Sequence, residues 1–339
     1  MLEIGYKLCS EEQSPHELIE CARSAEEAGF SFAMISDHFH PWTDRQGQSP
    51  FVWSVIGAIA QVTERIQIGT GVTCPTMRIH PAIIAHAAAT AATLLPGRFI
   101  LGVGAGENLN EHILGQHWPE VEVRQEMLEE AIEVIRLLWR GGMQSHHGKY
   151  YTVENARLYT LPDEPPPIII AASGSKGAEL AGRIGDGLCA TSPNKETVRQ
   201  FEKSGGKGKP RFGELTVCWD ENEAQARRIA HEFWPNVAIT GELSQVLPVP
   251  AHFEQAAQMV TEEDVAKEVI CGPDPKRHIA KLEEYAESGF DHVWIHQVGP
   301  HQEGLFRFYE EEVFPKLPQR LRAKSAGKVK KARAAGGRR

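Results

Sequence analysis

Ser36-Asp37-His38-Phe39-His40-Pro41-Trp42 follows the apolar run Phe32-Ala33-Met34-Ile35. Four consecutive apolar residues read as a strand buried on both faces. Pro41 favours an extended chain at His40 and ends the strand. A carboxylate, two imidazoles and an indole therefore stand just past the strand's carboxyl end. In a barrel of parallel strands this is where chemistry collects. A histidine there can accept a proton near neutral pH. A polar loop around a packed Trp would explain any one of these residues; the group together points to a site.

Working outward, short apolar runs alternate with amphipathic segments along the whole chain. Strands are expected at 2–8, 32–35, 66–72, 99–103, 168–171, 187–190, 215–219 and 292–296. Helices are expected at 15–28, with Gly29 as a left-handed cap, and at 50–63, 81–95, 121–139, 176–184, 221–234, 275–288 and 305–314. Residues 149–161, rich in Tyr and Val, read as an inserted strand or hairpin. Residues 236–260, with Pro248 and Pro250, read as an irregular lid with short helices. Repeated strand–helix units imply a parallel sheet. Eight strands in this length suit an α/β fold, a closed (β/α)8 TIM barrel over residues 1–315 with insertions near 145–165 and 236–260. The alternative is an open doubly wound sheet, but no GxGxxG opens a helix after the first strand.

Composition narrows the class. Of 339 residues, 41% are hydrophobic and 24% charged, ordinary for a soluble globular protein. No apolar run is long enough to span a bilayer, and residues 1–14 lack the features of a signal peptide, so a cytoplasmic protein is expected. The six cysteines are scattered without a CxxC pair, which suggests neither a zinc knuckle nor a disulfide framework. Residues 316–339 hold ten Lys or Arg and no acid, and the net charge of −9 leaves −19 on residues 1–315. The tail is expected to be disordered and solubilising, with contact to nucleic acid a lesser alternative. The acidic body argues against a nucleic-acid-binding domain.

Further chemistry sits at other strand ends. The fourth strand runs into Gly102-Val-Gly-Ala-Gly-Glu107-Asn-Leu-Asn110-Glu111. Its glycines let the backbone approach a flat or anionic group, although a tight turn would look the same. The third ends Gly69-Thr-Gly71-Val72-Thr73, small and suited to cradling a ring through the backbone. The fifth ends Ala171-Ala172-Ser173-Gly174-Ser175, a helix N-terminus that offers N–H groups to an anion or only a serine cap. Glu11, just past the first strand, and Lys195, after the sixth, join Trp42 as candidate substrate contacts; solvent would serve Lys195 equally well.

These segments carry a resemblance. Gly5-Tyr-Lys-Leu8, Ser36-Asp-His-Phe-His-Pro-Trp42, Gly69-Thr-Gly-Val72, Gly102-Val-Gly-Ala-Gly-Glu-Asn-Leu-Asn-Glu111 and Ala181-Gly-Arg-Ile-Gly-Asp-Gly187 resemble the deazaflavin-dependent glucose-6-phosphate dehydrogenases, in the same order over residues 3–315. That family lies within the luciferase-like barrels that use coenzyme F420. The resemblance implies hydride transfer between a carbinol carbon and C5 of the deazaflavin. His38 would take the hydroxyl proton, Glu107 would donate or relay a proton at the ring, and Trp42 would pack on the substrate. Asp37, Gly71, Val72, Asn110, Ala172 and Gly174 would fall at cofactor contacts. A non-proline cis peptide is implied near Gly71-Val72, and a homodimer is expected. A base near the carbinol and an acid near the ring would separate two proton tasks.

The chain departs from that pattern where the family holds phosphate. Asn194 falls where Lys is expected, with Lys195 one place on. Glu268 falls where an Arg is expected, and residues 240–260 contain no Lys or Arg. This points away from glucose 6-phosphate and towards an uncharged alcohol, sugar or carbonyl compound. Three other readings stay open: an FMN-dependent monooxygenase of the same superfamily, a metal-dependent hydrolase built on His38 and His40, and a barrel that only binds. No further metal-ligand set accompanies the two histidines, so no metal is expected.

Overall fold

The computed structural model describes residues 1–322. In chain order its strands are β1 (Glu3–Leu8), β2 (Phe32–Ile35), β3 (Gln67–Thr70), β4 (Phe99–Val103), β5 (Gln144–His147), β6 (Thr152–Ala156), β7 (Ile168–Ala171), β8 (Gly187–Ala190), β9 (Arg211–Cys218), β10 (Ile270–Cys271) and β11 (His292–Gln297). Hydrogen bonding runs β9-β11-β1-β2-β3-β4-β7-β8, all parallel. The pairing of β8 with β9 closes the ring. That closure makes the fold a (β/α)8 barrel and excludes the open sheet. β10 adds two residues beside the carboxyl end of β9. The antiparallel hairpin β5–β6 stands outside the barrel.

The barrel is filled, not hollow. Phe32, Met34, Ile100, Ile169, Cys189, Phe212 and Trp294 plug its interior. The opposite strand faces pack against the helix ring, through residues such as Ile4, Ala33, Ile68, Leu101, Ile170 and Leu188. Close approach of β3 and β4 requires glycine: a Cβ on Gly102 would lie 2.0 Å from the Thr70 carbonyl oxygen. The first helix, Pro15–Ala28, starts on a capping box between Ser14 and Glu17 and ends on Gly29 at φ 97°.

Several elements differ from the sequence reading. β3 stops at Thr70, followed by a cis peptide at Gly71-Val72 and an isolated bridge from Thr73 to Val103. β9 begins four residues early, at Arg211, whose guanidinium is fixed by Asp291 at 2.7 Å. The inserted hairpin begins at Gln144, not 149. Residues 236–260 hold the short helices Leu243–Val246 and Pro250–Ala257. Order also runs past residue 315: Leu317 and Leu321 are buried, and Leu2 N–H donates to the Leu321 carbonyl at 2.9 Å. The remainder of the basic tail, 323–339, lies outside the described residues. Among the described residues all six cysteines are buried free thiols, and no helix is long and apolar enough to cross a membrane.

One buried histidine ties the last helices together. His278, in the helix Pro275–Glu287, is fully buried between the Tyr309 hydroxyl (3.0 Å) and the Gly272 carbonyl (3.3 Å). Burial pushes its pKa down from 6.5 to about 4. The unfolded chain therefore binds one more proton between those values, and stability falls as pH drops from about 6.5 to about 4. We expect the wild type to lose about 3 kcal/mol more than His278→Gln across this window, read from urea midpoints.

Candidate active site

The loop after β2 is held from below and from the side. Asn110, buried in the short helix Asn108–Glu111, accepts the N–H groups of Phe39 (2.8 Å) and His40 (3.2 Å). Gln46 Oε1 accepts from Trp42 N at 2.7 Å. These bonds leave His38 in one orientation. Its Nδ1 lies 3.1 Å from the His40 carbonyl, which can only accept, so Nδ1 carries the proton. Nε2 is then the basic position, and it lies 3.5 Å from Glu11 Oε1.

Glu11 is 1% exposed. Ser36 Oγ donates to its carboxylate, and Ser10 Oγ lies 3.4 Å away. Burial alone would raise its pKa, but His38, Lys7 and the Ser36 hydroxyl together hold it at about 2. Glu11 was expected to touch substrate. Instead its carboxylate is committed to Ser36 and His38, because the turn after β1 folds under the β2 loop. Lys7 in turn lies 3.2 Å from Glu214 Oε1, while Trp294 Nε1 donates to Glu214 Oε2 at 2.8 Å. Burial opposes the Lys7 charge, but Glu214 and Glu11 hold its pKa above the usual range. Burial likewise opposes the Glu214 charge, but Lys7, His296 and the Trp294 N–H together hold its carboxyl below the usual range. The charges thus alternate from Glu214 through Lys7 to Glu11 and His38.

Trp42 forms the next wall, its ring 5.1 Å from His38 and 5.1 Å from Phe253. Leu109, Ile239, Leu247 and Phe253 continue an apolar surface around it. Glu107 is half-buried at the carboxyl end of β4 and makes no side-chain cap to the following helix. The segment carrying Phe253 is tied down beside it: Asn108 Nδ2 donates to the Val246 carbonyl (2.8 Å), and Arg124 bridges the Gly106 carbonyl (3.3 Å) and Gln245 (3.2 Å).

Small residues line the adjoining strand ends. A Cβ on Gly104 would lie 2.9 Å from Val72 and 3.5 Å from Ala171. Gly174 is exposed, with nothing within 4 Å of a Cβ, and opens the ten-residue helix Ser175–Ile184. A shallow cradle of backbone beside a free helix N-terminus fits a flat ring carrying an anionic chain. Val72 flanks Gly104, and Gly174 stands at the start of the neighbouring helix. Asp37 does not offer its carboxylate there: Arg78 Nη2 (2.8 Å) and Thr73 Oγ1 (2.7 Å) take both oxygens. Arg78 also meets Glu111, at 3.6 Å through Nε and 2.8 Å through its backbone N–H. Burial pushes the Glu111 carboxyl up to about 7 in spite of Arg78.

Lys195 is exposed on the first turn of the helix Lys195–Phe201. Asn194 has a separate task, capping that helix through Glu196 N (2.8 Å) and Thr197 N (3.2 Å). His40 turns away from His38: its Nδ1 bonds the Leu109 carbonyl at 2.8 Å, and its ring stacks on His112. The two do not form a ligand pair, which removes the geometric basis of the hydrolase reading. Lys7, Glu214, Arg78 and Arg124 were missed from sequence. For Lys7 and Glu214 the available signal was a lone charge inside an apolar strand, on the face that alternation assigns to the barrel interior.

Comparison with known proteins adds the following. The luciferase-like monooxygenase family matches residues 3–292. An F420-dependent glucose-6-phosphate dehydrogenase of Beutenbergia cavernae is 36% identical over 334 residues, covering 95% of this chain and 99% of its own. One from Mycobacterium avium is 36% identical over 330 residues, covering 93% and 98%. The structure of an F420-dependent secondary alcohol dehydrogenase in complex with an F420-acetone adduct superposes with a TM-score of 0.87 at 30% identity, covering 95% and 99%.

The Asp37–Arg78–Glu111 group makes a stability prediction. Arg78→Met leaves two buried carboxylates without their cation and should cost about 3–5 kcal/mol at neutral pH. The Glu111 share of the deficit should be fullest above pH 7 and shrink as pH falls through about 7, where Glu111 takes up its proton. Chemical denaturation on both sides of that pH checks this.

Proposed function

The chain belongs to the luciferase-like monooxygenase family, and from that premise we propose that it is an F420-dependent oxidoreductase acting on the CH–OH group of a small uncharged alcohol or sugar. The observation that carries this reading is His38 Nε2 set against the buried Glu11 carboxylate at 3.5 Å, with Trp42 as the adjoining wall. Gly71, Val72, Ala172 and Gly174 would hold the deazaflavin and its anionic chain. Asp37 and Asn110 would act indirectly, by fixing the loops around it. When bound, F420 supplies a carbon that accepts or returns a hydride.

The protein's own part is proton handling, orientation and exclusion of water. His38 Nε2 removes the hydroxyl proton as the carbinol carbon is oxidised. Glu11 stabilises the positive charge the ring then acquires, and Ser36 with Lys7 keeps Glu11 ionised. The His40 carbonyl holds the ring in the required tautomer, as a third group does for other paired bases. Glu107, uncommitted at the end of β4, is the proton donor or relay on the cofactor side. Trp42, Phe253 and Leu247 pack on the substrate and keep water out.

The same wall selects the substrate. The wall beside Trp42 is built of Leu109, Ile239, Leu247 and Phe253, and Lys195 lies on an exposed helix turn. A phosphate there would lose its hydration without a partner, which disfavours glucose 6-phosphate. A secondary alcohol or its ketone, or an unphosphorylated hemiacetal, meets only apolar contacts and the His38–Glu11 pair.

Fluorescence titration with oxidised F420, run beside FMN, tests the cofactor. Tight binding of the deazaflavin alone is expected; binding of FMN alone would replace this reading with a monooxygenase. Loss of F420 absorbance should follow addition of neutral secondary alcohols and not glucose 6-phosphate. His38→Ala should keep F420 affinity and lose roughly 10²–10⁴-fold in turnover. Retention of full turnover would remove His38 from its role.

A further inference from the structure

Behind the His38–Glu11 pair lies a second group of side chains that the proposed reaction does not use. Cys9 and Glu12 sit in the turn after β1, and His296 is near the end of β11, the strand paired with β1. The Cys9 thiol, a Glu12 carboxylate oxygen and a His296 ring nitrogen all lie within 4.8 Å of one another. We infer that Cys9, Glu12 and His296 form a binding site for one Zn2+ ion, with water as the fourth ligand.

The site is distinguished by polar atoms without partners. His296 is fully buried, yet neither ring nitrogen has a hydrogen-bond partner, and Glu12 Oε1 has none either. A buried polar group left so costs about 1–3 kcal/mol, and such groups ask for a missing ligand. Glu12 is positioned by its other oxygen, which accepts the Gly299 N–H at 2.7 Å. His296 is positioned by the Trp234 ring at 4.4 Å and by Glu214, whose Oε1 lies 3.6 Å from Nδ1. With Nδ1 turned towards Glu214, Nε2 is the nitrogen assigned to the ion; a slight approach of Nδ1–H to Glu214 on binding would complete the carboxylate–histidine–metal arrangement that orients metal-bound imidazoles.

The donor set selects the metal. A thiolate and an imidazole disfavour Mg2+ and Ca2+, which take oxygen ligands. Tetrahedral Zn2+ with bonds of roughly 2.0–2.3 Å needs its ligand atoms about 3.3–3.8 Å apart, so the three groups need to close by about 1.5 Å at most. Charge is compatible as well: Lys7 is neutralised by Glu214 at 3.2 Å, and the Glu11 carboxylate lies 3.4 Å from the Cys9 sulfur. On binding, the Cys9 proton leaves to solvent and its hydrogen bond to Glu11 is lost.

The test uses full-length protein stripped with a chelator and then dialysed against Zn2+ or Co2+. About one equivalent of Zn2+ should bind, and Co2+ should give a thiolate-to-cobalt charge-transfer band in the near ultraviolet. Cys9→Ser should abolish that band. Glu12→Gln, which keeps shape and the Gly299 contact, should weaken Zn2+ binding by more than roughly tenfold. Circular dichroism of each variant confirms folding. A charge-transfer band that survives in Cys9→Ser, unchanged affinity in folded Glu12→Gln, or no stoichiometric binding by the wild type would overturn the assignment.

Discussion

A carboxylate buried at the mouth of the barrel must be compensated, and much of the candidate site is arranged around that need. An uncompensated ion in such a place costs several kcal/mol. Glu11 meets this with a serine hydroxyl, a lysine beneath it and a histidine in front of it. Lys7 is itself buried and needs Glu214, which needs the Trp294 N–H. These residues come from β1, β9, β11 and the loop after β2, so they can meet only if the ring is closed in the observed order. The polar chain ends at His38 Nε2, the atom that the proposed reaction uses to take the proton.

The fold was legible because its signal is periodic. Short apolar runs separated by amphipathic segments identified all eight barrel strands, and Gly29 marked the first helix end. The boundaries that failed were set by contacts beyond the local pattern. β3 ends at Thr70 and the chain rejoins β4 only through the Thr73–Val103 bridge, and β9 is lengthened by the pairing of Arg211 with Asp291. The site was legible in part for the same reason. His38, Trp42 and Glu107 follow strands directly, so a strand end located them. Glu11 was placed at the correct end of the barrel, but its partner, Ser36, is 25 residues away. Asp37 and Asn110 look like ligand contacts in one dimension; in three, Arg78 and the backbone of Phe39 and His40 occupy their side-chain oxygens.

In the proposed reading, the inserted segment sets the substrate. Residues 236–260 bring Phe253 and Leu247 against Trp42, and Arg124 with Asn108 ties the segment to the Gly106–Glu107 turn. Each tether ends next to Glu107, so the apolar wall and the acid at the cofactor side are fixed together. Where sugar phosphates are held, cations must face the ligand. Here Asn194 is spent on a helix cap and Glu268 is an exposed acid. The scaffold is therefore consistent with the same hydride chemistry on a less polar molecule.

The most direct measurement follows the hydrogen itself. A secondary alcohol carrying deuterium on its carbinol carbon is oxidised by the enzyme with F420 in ordinary water, and the reduced cofactor is read by NMR. Direct hydride transfer predicts one deuterium at C5, with none lost to solvent. A C5 hydrogen drawn from water, with the label released, would contradict the account.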